Sequence, residues 1–165
     1  MSIFKRFKKN YLSKEFITSL VIIIFIFTVD RASKINIINH QSINDSLFIN
    51  NYLNFELIWN TGISFGLLSQ NANIYYHIIT FLIFLVIIYL ISMISRVIFS
   101  DKILFSLILG GALGNFYDRL FYFAVPDFID IHINNFHWFV FNIADIFITI
   151  GVIILIVKDV ILNKK

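Results

Sequence analysis

The sequence predicts an all-α integral membrane protein with four transmembrane helices and one small β-element between the first two. Hydrophobic residues make up 59% of the 165 positions and charged residues only 14%, whereas a soluble domain carries about 25% charged residues. The apolar residues also form long blocks separated by polar or basic stretches, and a span needs about 20 apolar residues. At this length we expect a single domain, 1–165.

The first apolar block follows a basic N-terminal stretch and resembles a secretory signal peptide. It ends, however, in Asp30-Arg31-Ala32-Ser33-Lys34, and no small-residue cleavage site follows. We therefore expect an uncleaved first span at about 16–33.

Residues 36–73 are predicted to form an outer cap, because no Lys or Arg occurs between positions 35 and 73. Every second residue of 53–59 is large and apolar, which indicates a strand with one apolar face. Asn60-Thr61-Gly62 then supplies a turn. The cap is therefore expected to contain a small extracytoplasmic sheet.

Three further spans are predicted at about 74–95, 103–120 and 136–157. A basic loop at 96–102 separates the second and third, and an outer loop at 121–135 contains the only proline, Pro126. Lys and Arg concentrate at both termini and in the 96–102 loop, which places these segments in the cytoplasm by the positive-inside rule. Both termini are thus expected to be cytoplasmic.

This topology brings polar residues from distant segments to one level near the outer membrane face. At 1.5 Å per residue, Asp145 is expected roughly 13 Å below the start of the fourth span. Helical spacing of three or four places several of these polar residues on shared faces. The pairs are Asn142 with Asp145, Asn115 with Asp118, Asn115 with Arg119, and Asp30 with Lys34.

Small residues in the third span predict close helix packing. Gly110 and Gly114 form a G-x-x-x-G pair with Gly111 between them, and such residues let a neighbouring helix approach closely. We expect this span to lie inside the bundle.

The acidic residues differ in what they indicate. An ionisable side chain within a span, such as Asp145, is a functional hypothesis by default. An aspartate in an outer loop, such as Asp127, is weak evidence for a functional site by itself. It becomes stronger evidence if it faces Asp145. Asp118 and Arg119, adjacent at a helix end, are expected to pair with neighbours and brace the third span.

Two other patterns resemble a catalytic or a metal site. Gly62-Ile63-Ser64-Phe65-Gly66 matches the nucleophile elbow, but the chain is too short and apolar for the α/β-hydrolase sheet that this motif requires. His132 and His137, with Asp127 and Asp130, offer metal-ligating groups, yet their spacing matches no zinc pattern. We therefore expect no metal and no cofactor.

Composition excludes several other functions. The chain has no cysteine, which rules out disulfides and thiolate catalysis. The net charge of +3 reflects basic residues beside apolar runs, so nucleic acid is not an expected partner.

Five sequence blocks, in this order, resemble the lipoprotein signal peptidase family, also called signal peptidase II. The resemblance covers about residues 16–157. The blocks are Asp30-x-x-x-Lys34, Asn60-Thr61-Gly62-Ile63-Ser64-Phe65, Gly110-Gly111-Ala112-Leu113-Gly114-Asn115-Phe116-Tyr117-Asp118-Arg119, Val125-Pro126-Asp127-Phe128-Ile129 and Phe141-Asn142-Ile143-Ala144-Asp145. The chain departs from the family pattern at Ser64, Pro126 and Phe139, and Pro126 bears on how the loop presents Asp127.

The resemblance implies an aspartic endopeptidase of the bacterial inner membrane, with its site near the outer face. Its substrate would be a diacylglyceryl-modified prolipoprotein, cleaved just before the lipidated cysteine. The catalytic pair maps onto Asp127 and Asp145. The positions that support the site or contact substrate are Asp30, Lys34, Asn60, Gly62, Gly111, Asn115, Arg119 and Asn142.

Two close carboxylates that share one proton can activate a water molecule for peptide hydrolysis. Membrane lipids and the prolipoprotein are the expected partners, and a monomer is expected. The main alternative is a small four-span proton-coupled transporter that uses Asp145, and a second is a non-catalytic assembly factor. A transporter would carry its polar residues towards the midplane, whereas these gather at one face.

Overall fold

The computed structural model describes residues 13–41, 46–62 and 72–162. Within these ranges the chain forms four helices and a four-stranded antiparallel sheet of order β1-β2-β3-β4. The helices are α1 (Lys14–Gln41), α2 (Ala72–Ile94), α3 (Phe99–Phe121) and α4 (Ile143–Leu162). The strands are β1 (Leu47–Asn50), β2 (Leu53–Asn60), β3 (Val125–Ile133) and β4 (Phe136–His137).

Helix α3 is the centre of the helical bundle, since it contacts α1, α2 and α4. Its glycines permit this close packing, as the sequence predicts. A Cβ at Gly110 would lie 2.9 Å from Cβ of Ile26 in α1, and one at Gly111 would lie 2.6 Å from the carbonyl oxygen of Ala144 in α4. A Cβ at Gly114 would collide with the Asp30 carboxylate. Only glycine fits at these contacts.

The outward faces of the helices are apolar. Phe25 in α1, Phe81 in α2 and Ile156 in α4 are all more than half exposed, and many other large apolar side chains accompany them. Exposed apolar surface on this scale is typical of a face that contacts lipid rather than water.

Two of the described helices, over Lys14–His40 and Ile74–Ile94, are long and apolar enough to cross a membrane. Helices α3 and α4 have 23 and 20 residues, but acidic and basic residues lie near their ends. The four-span topology and the cytoplasmic termini therefore stay predictions.

The sheet is larger than the sequence predicts. Strand β2 covers the alternating segment 53–59, but the predicted outer loop 121–135 supplies β3, which pairs with β2, and β4 then pairs with β3. Asn134, with φ of 52°, turns the chain between β3 and β4, as asparagine commonly does in a two-residue hairpin. The sheet packs on the end of α1 through Phe128, Ile129 and Ile37.

Two predicted helix boundaries differ from the structure. Helix α1 continues to Gln41, beyond the expected end near 33, because no glycine or proline interrupts 34–41. Helix α4 begins at Ile143 rather than 136, because Phe136–His137 forms β4 and the backbone of Phe141 pairs with Ile129. Asp145 consequently lies in the first turn of α4, not about 13 Å down a span.

Candidate active site

The two candidate catalytic carboxylates come from different layers of the fold. Asp127 lies near the start of β3, and Asp145 is the third residue of α4. Both contact the same residue, Asn142, which immediately precedes α4. The structure thus brings the predicted pair together at the junction of the sheet and the bundle.

Asn142 caps α4 and also binds both aspartates. Its side-chain carbonyl accepts the backbone N–H of Asp145 at 3.1 Å, and its own backbone N–H donates to Oδ2 of Asp145 at 3.1 Å. This reciprocal pair is a capping box, in which each side chain satisfies a free N–H at the helix start. The amide Nδ2 of Asn142 then donates to Oδ1 of Asp127 at 2.5 Å.

Asn60 binds the other oxygen of Asp127. Its Nδ2 donates to Oδ2 of Asp127 at 2.9 Å, and its Oδ1 accepts the backbone N–H of Gly62 at 2.7 Å. Asn60 lies two residues beyond Ile58, the partner of Asp127 in the sheet, so the two side chains are diagonal neighbours on one face. A register shift between Phe55 and Ile58 sets this alignment, as bulges near functional sites commonly do.

Asn115 binds Asp145 in the same way. Its Oδ1 accepts from Nζ of Lys34 at 2.8 Å, and its Nδ2 donates to Oδ1 of Asp145 at 2.8 Å. Each of the three asparagines therefore accepts a fixed donor with its oxygen and presents its NH₂ to a carboxylate. This orientation follows from the hydrogen-bond network, since a reversed amide would place donor against donor.

Burial of Asp127 favours a protonated carboxyl group. The residue is 3% exposed, and loss of solvent is the main reason that its pKa rises from 3.8 to about 6. The hydrogen bond from Asn60 lowers the pKa, whereas the Asp145 carboxylate raises it. Two interacting carboxylates titrate as a pair, so this site is able to hold one proton up to about pH 6.

A buried cluster of ion pairs is linked to Asp145 through Asn115. Lys34, fully buried, donates from Nζ to Oδ2 of Asp30 at 2.8 Å and to Oδ2 of Asp118 at 2.7 Å. Arg31 forms a further ion pair with Asp118. The Asp30–Lys34 pairing agrees with the helical spacing, and the free Oδ1 of Asp30 accepts the N–H of Ala144 at 3.0 Å. The cluster thus joins α1, α3 and the start of α4.

Arg119 does not belong to that ion cluster. Its guanidinium lies over the ring of Tyr76, 5.4 Å from the ring centre, and Nη2 would be 2.8 Å from a Cβ on Gly62. Gly62 has φ of +76°, which glycine adopts without strain. Among the described residues, Nε and Nη1 of Arg119 are buried without a hydrogen-bond partner. The adjacent Asp118 carboxylate pairs instead with α1.

The described residues do not support the nucleophile elbow or the metal set at the carboxylate pair. Ser64 of the G-x-S-x-G match lies outside the described residues. His132 and His137 contact Asp130, but Asp127, the fourth residue of the considered metal set, binds Asn60 and Asn142 instead. The metal hypothesis therefore does not apply to Asp127.

Arg31 and Tyr76 contribute to the site, although no sequence pattern points to either residue. Arg31 follows Asp30 directly in a charged stretch, but nothing in that stretch indicates that it pairs with Asp118. Tyr76 donates its hydroxyl to the carbonyl of Arg119 at 2.6 Å. Tyrosine is common near the ends of membrane spans, so its position in the sequence does not identify Tyr76 as a site residue.

Two solved structures share this fold. Both are described as bacterial membrane enzymes determined by the in meso method. One is 36% identical with a TM-score of 0.70 and covers 90% of this chain and 92% of its own. The other is 34% identical with a TM-score of 0.72 and covers 86% and 91%. The fold is therefore that of a membrane enzyme, and this protein is located in a membrane.

Sequence comparison defines the family. The model of the family described as signal peptidase (SPase) II matches residues 22–161. The lipoprotein signal peptidase of Pelagibacter ubique (strain HTCC1062) is 49% identical over 154 residues, which cover 92% of this chain and 93% of that protein. That of Francisella tularensis subsp. mediasiatica (strain FSC147) is 42% identical over 151 residues, covering 88% and 92%. The chain belongs to the signal peptidase II family, a family of peptidases.

Proposed function

We propose that this protein is an aspartic endopeptidase that removes the signal peptide from diacylglyceryl-modified prolipoproteins, cutting before the lipidated cysteine. Asp127 and Asp145 are the catalytic pair. The observation that carries this proposal is the shared bonding of both carboxylates to Asn142. Family membership supports the substrate class and gives no support to the transporter alternative.

The pair acts by sharing one proton, because two neighbouring carboxylates do not both ionise easily. The ionised carboxylate takes a proton from water while the protonated one donates a hydrogen bond to the scissile carbonyl. The water oxygen bonds to the carbonyl carbon and forms a tetrahedral intermediate. The C–N bond then breaks, and the leaving nitrogen, which becomes the amino group of the cysteine, takes a proton from the pair.

The three asparagines keep the carboxylates in place during these steps. Each aspartate accepts a bond at both oxygens from groups of the protein. The remaining lone pairs are left for the shared proton, the water and the peptide. Such fixed donors stabilise charge without reorganising during the reaction.

Arg119 is proposed to bind substrate. Its Nε and Nη1, which have no hydrogen-bond partner among the residues that the structure describes, are suited to peptide carbonyl oxygens, because an arginine offers five N–H donors and no acceptor. Gly62 lies against the same guanidinium and limits its position. Asn60 connects this turn to Asp127, so substrate binding and catalysis share one support.

The site is proposed to lie at the outer face of the bacterial inner membrane, in a monomeric protein with four spans. The sheet meets the ends of α1 and α4 beside the carboxylates. Exposed Phe48, Tyr52 and Trp59 suit strands that rest on the interface, where aromatic residues concentrate. A signal peptide would then enter from the bilayer with its lipidated cysteine near this level.

Separate Asp127→Asn and Asp145→Asn variants test the catalytic pair. Each is expected to lower kcat on a lipidated prolipoprotein in detergent by about 10²–10⁴-fold, the usual worth of a general acid or base. Asp101→Asn is the matched control, since this acid pairs with Lys158 away from the site, and it is expected to retain activity. Near-normal cleavage by either site variant would show that the pair is wrong.

A further inference from the structure

The hairpin of β3 and β4 carries a second cluster of ionisable side chains that the proposed reaction does not use. His132 and His137 are directly opposite one another in the hairpin. Their rings are nearly parallel, with centres 5.0 Å apart. Asp130 lies two residues before His132 and so belongs to the same face of β3, whereas Asp127 belongs to the alternate set.

Both imidazoles direct Nδ1 to the Asp130 carboxylate. Nδ1 of His137 lies 3.0 and 2.9 Å from its two oxygens, and Nδ1 of His132 lies 3.6 Å from Oδ2. One ligand atom from each residue lies within 4.8 Å of the other two. Zinc bonds of about 2.0–2.1 Å in a tetrahedron require ligand atoms roughly 3.3–3.5 Å apart. The cluster is therefore close to the required spacing before any adjustment.

One feature of the cluster lacks an explanation without a further partner. Nδ1 of His132 is buried and has no hydrogen-bond partner among the described residues, although buried polar atoms are nearly always bonded. The side chain of Asp130 is 2% exposed and has Nδ1 of His137 beside both oxygens, and a positive charge at this point stabilises a buried carboxylate. A cation between the three side chains would bond to Nδ1 of His132 and balance the charge of Asp130.

We propose that Asp130, His132 and His137 bind one divalent transition metal of the zinc class, which fastens β4 to β3. Two imidazoles and one carboxylate suit such a metal, whereas Mg²⁺ and Ca²⁺ prefer oxygen ligands. The side chain of His137 is 53% exposed, so water has access to the remaining coordination position. The metal has no part in peptide hydrolysis, and this inference does not rest on the proposed function.

Metal binding to the purified protein in detergent tests the inference without substrate. The protein must carry no polyhistidine tag, and the titrant is Zn²⁺ alone, followed by calorimetry. Wild-type protein is expected to bind about one equivalent, since the cluster forms one three-ligand site. Co²⁺ is expected to give the visible absorption of a site with nitrogen and oxygen ligands, and excess Mg²⁺ should not displace either metal.

His137→Gln is the decisive variant, because its exposed side chain can be replaced without disturbing the core. It is expected to weaken Zn²⁺ binding by at least about tenfold, given that even outer-shell changes cost 10–100-fold. His77→Gln is the control, since His77 is an exposed histidine in α2. Equal Zn²⁺ affinity in wild type, His137→Gln and His132→Asn would overturn the inference, as would equal loss in His77→Gln.

Discussion

The backbone N–H of Asn142 donates to the side chain of Asp145, and the backbone N–H of Asp145 donates to the side chain of Asn142, both at 3.1 Å. Asn142 therefore has a structural role at the start of α4. Its Nδ2 has a separate role at Asp127. Different substitutions can distinguish the two.

Asn142→Ser is expected to keep the helix cap and lose catalysis. Serine is as good an N-cap as asparagine, but it has no NH₂ to donate to Asp127. We expect a smaller loss of Tm than in Asn142→Ala, because the cap is kept, and a kcat reduced by about 10²-fold or more. Asn142→Ala should lose both, with stability lower by about 1 kcal/mol. Full activity of Asn142→Ser would contradict the role of Nδ2.

The raised pKa of Asp127 predicts a pH dependence of stability. Below pH 3.8 the carboxyl is protonated in both the folded and the unfolded chain. Between 3.8 and about 6 the folded protein holds a proton that the unfolded chain has released. The free energy of unfolding therefore falls as the pH rises through this window, by on the order of 1–3 kcal/mol.

Asp127→Asn removes this titration. The Tm difference between the variant and the wild type is expected to move in favour of the variant as the pH rises from about 4 to about 7. Thermal unfolding in detergent across this range provides the measurement. A constant difference would show that Asp127 does not titrate with a raised pKa.

Lys34→Met is expected to be severely destabilising. Lys34 is fully buried and binds two carboxylates, so its loss leaves Asp30 and part of Asp118 without charge compensation. Breaking a buried pair in this way costs about 3–5 kcal/mol. Lys102→Met is the control, because its partner Glu15 is half exposed and a solvent-accessible pair of this kind is worth under about 1 kcal/mol. Comparable losses in Tm would refute the cluster's importance.

Gly111→Ala tests the close approach of α3 and α4 at the site. The added methyl would lie 2.6 Å from the carbonyl oxygen of Ala144, a backbone atom that cannot turn away. We expect a loss of about 1–3 kcal/mol and lower kcat per folded molecule, since Ala144 precedes Asp145.

Gly151→Ala provides the comparison for Gly111→Ala. Its added methyl would lie 2.6 Å from Cγ1 of Ile108 and 3.1 Å from the carbonyl oxygen of Leu104, at a position more than one turn further along α4 from Asp145. It should lower Tm while the folded fraction keeps its kcat. Equal kcat in both variants would show that the approach at Gly111 does not position the catalytic pair.

The sequence predicts those features of the fold that depend on a single helix or strand. The spacing of Asp30 and Lys34 predicted their ion pair, the alternation at 53–59 predicted β2, and Gly110 and Gly114 predicted tight packing around α3. In each case the necessary information lies within a few residues of one helix or strand.

Features that depend on contacts between distant segments of the chain were not predicted from the sequence. Residues 136–141 are as apolar as a span, yet they pair with β3, and the Asn134-Asn135 turn is a weak local indication of this. Asp118 pairs with the neighbouring helix α1, as expected of a residue that braces the third span, but its partners Arg31 and Lys34 were not identified from the sequence. The common orientation of Asn60, Asn115 and Asn142 depends on donors from three different segments.

Asp127 belongs to the sheet and Asp145 to a helix, so neither layer alone contains the proposed catalytic pair. The two acids come together only when the sheet docks against the helix ends and Asn142 binds both of them. On the proposed mechanism, a molecule whose sheet has not docked therefore has no complete site for peptide hydrolysis.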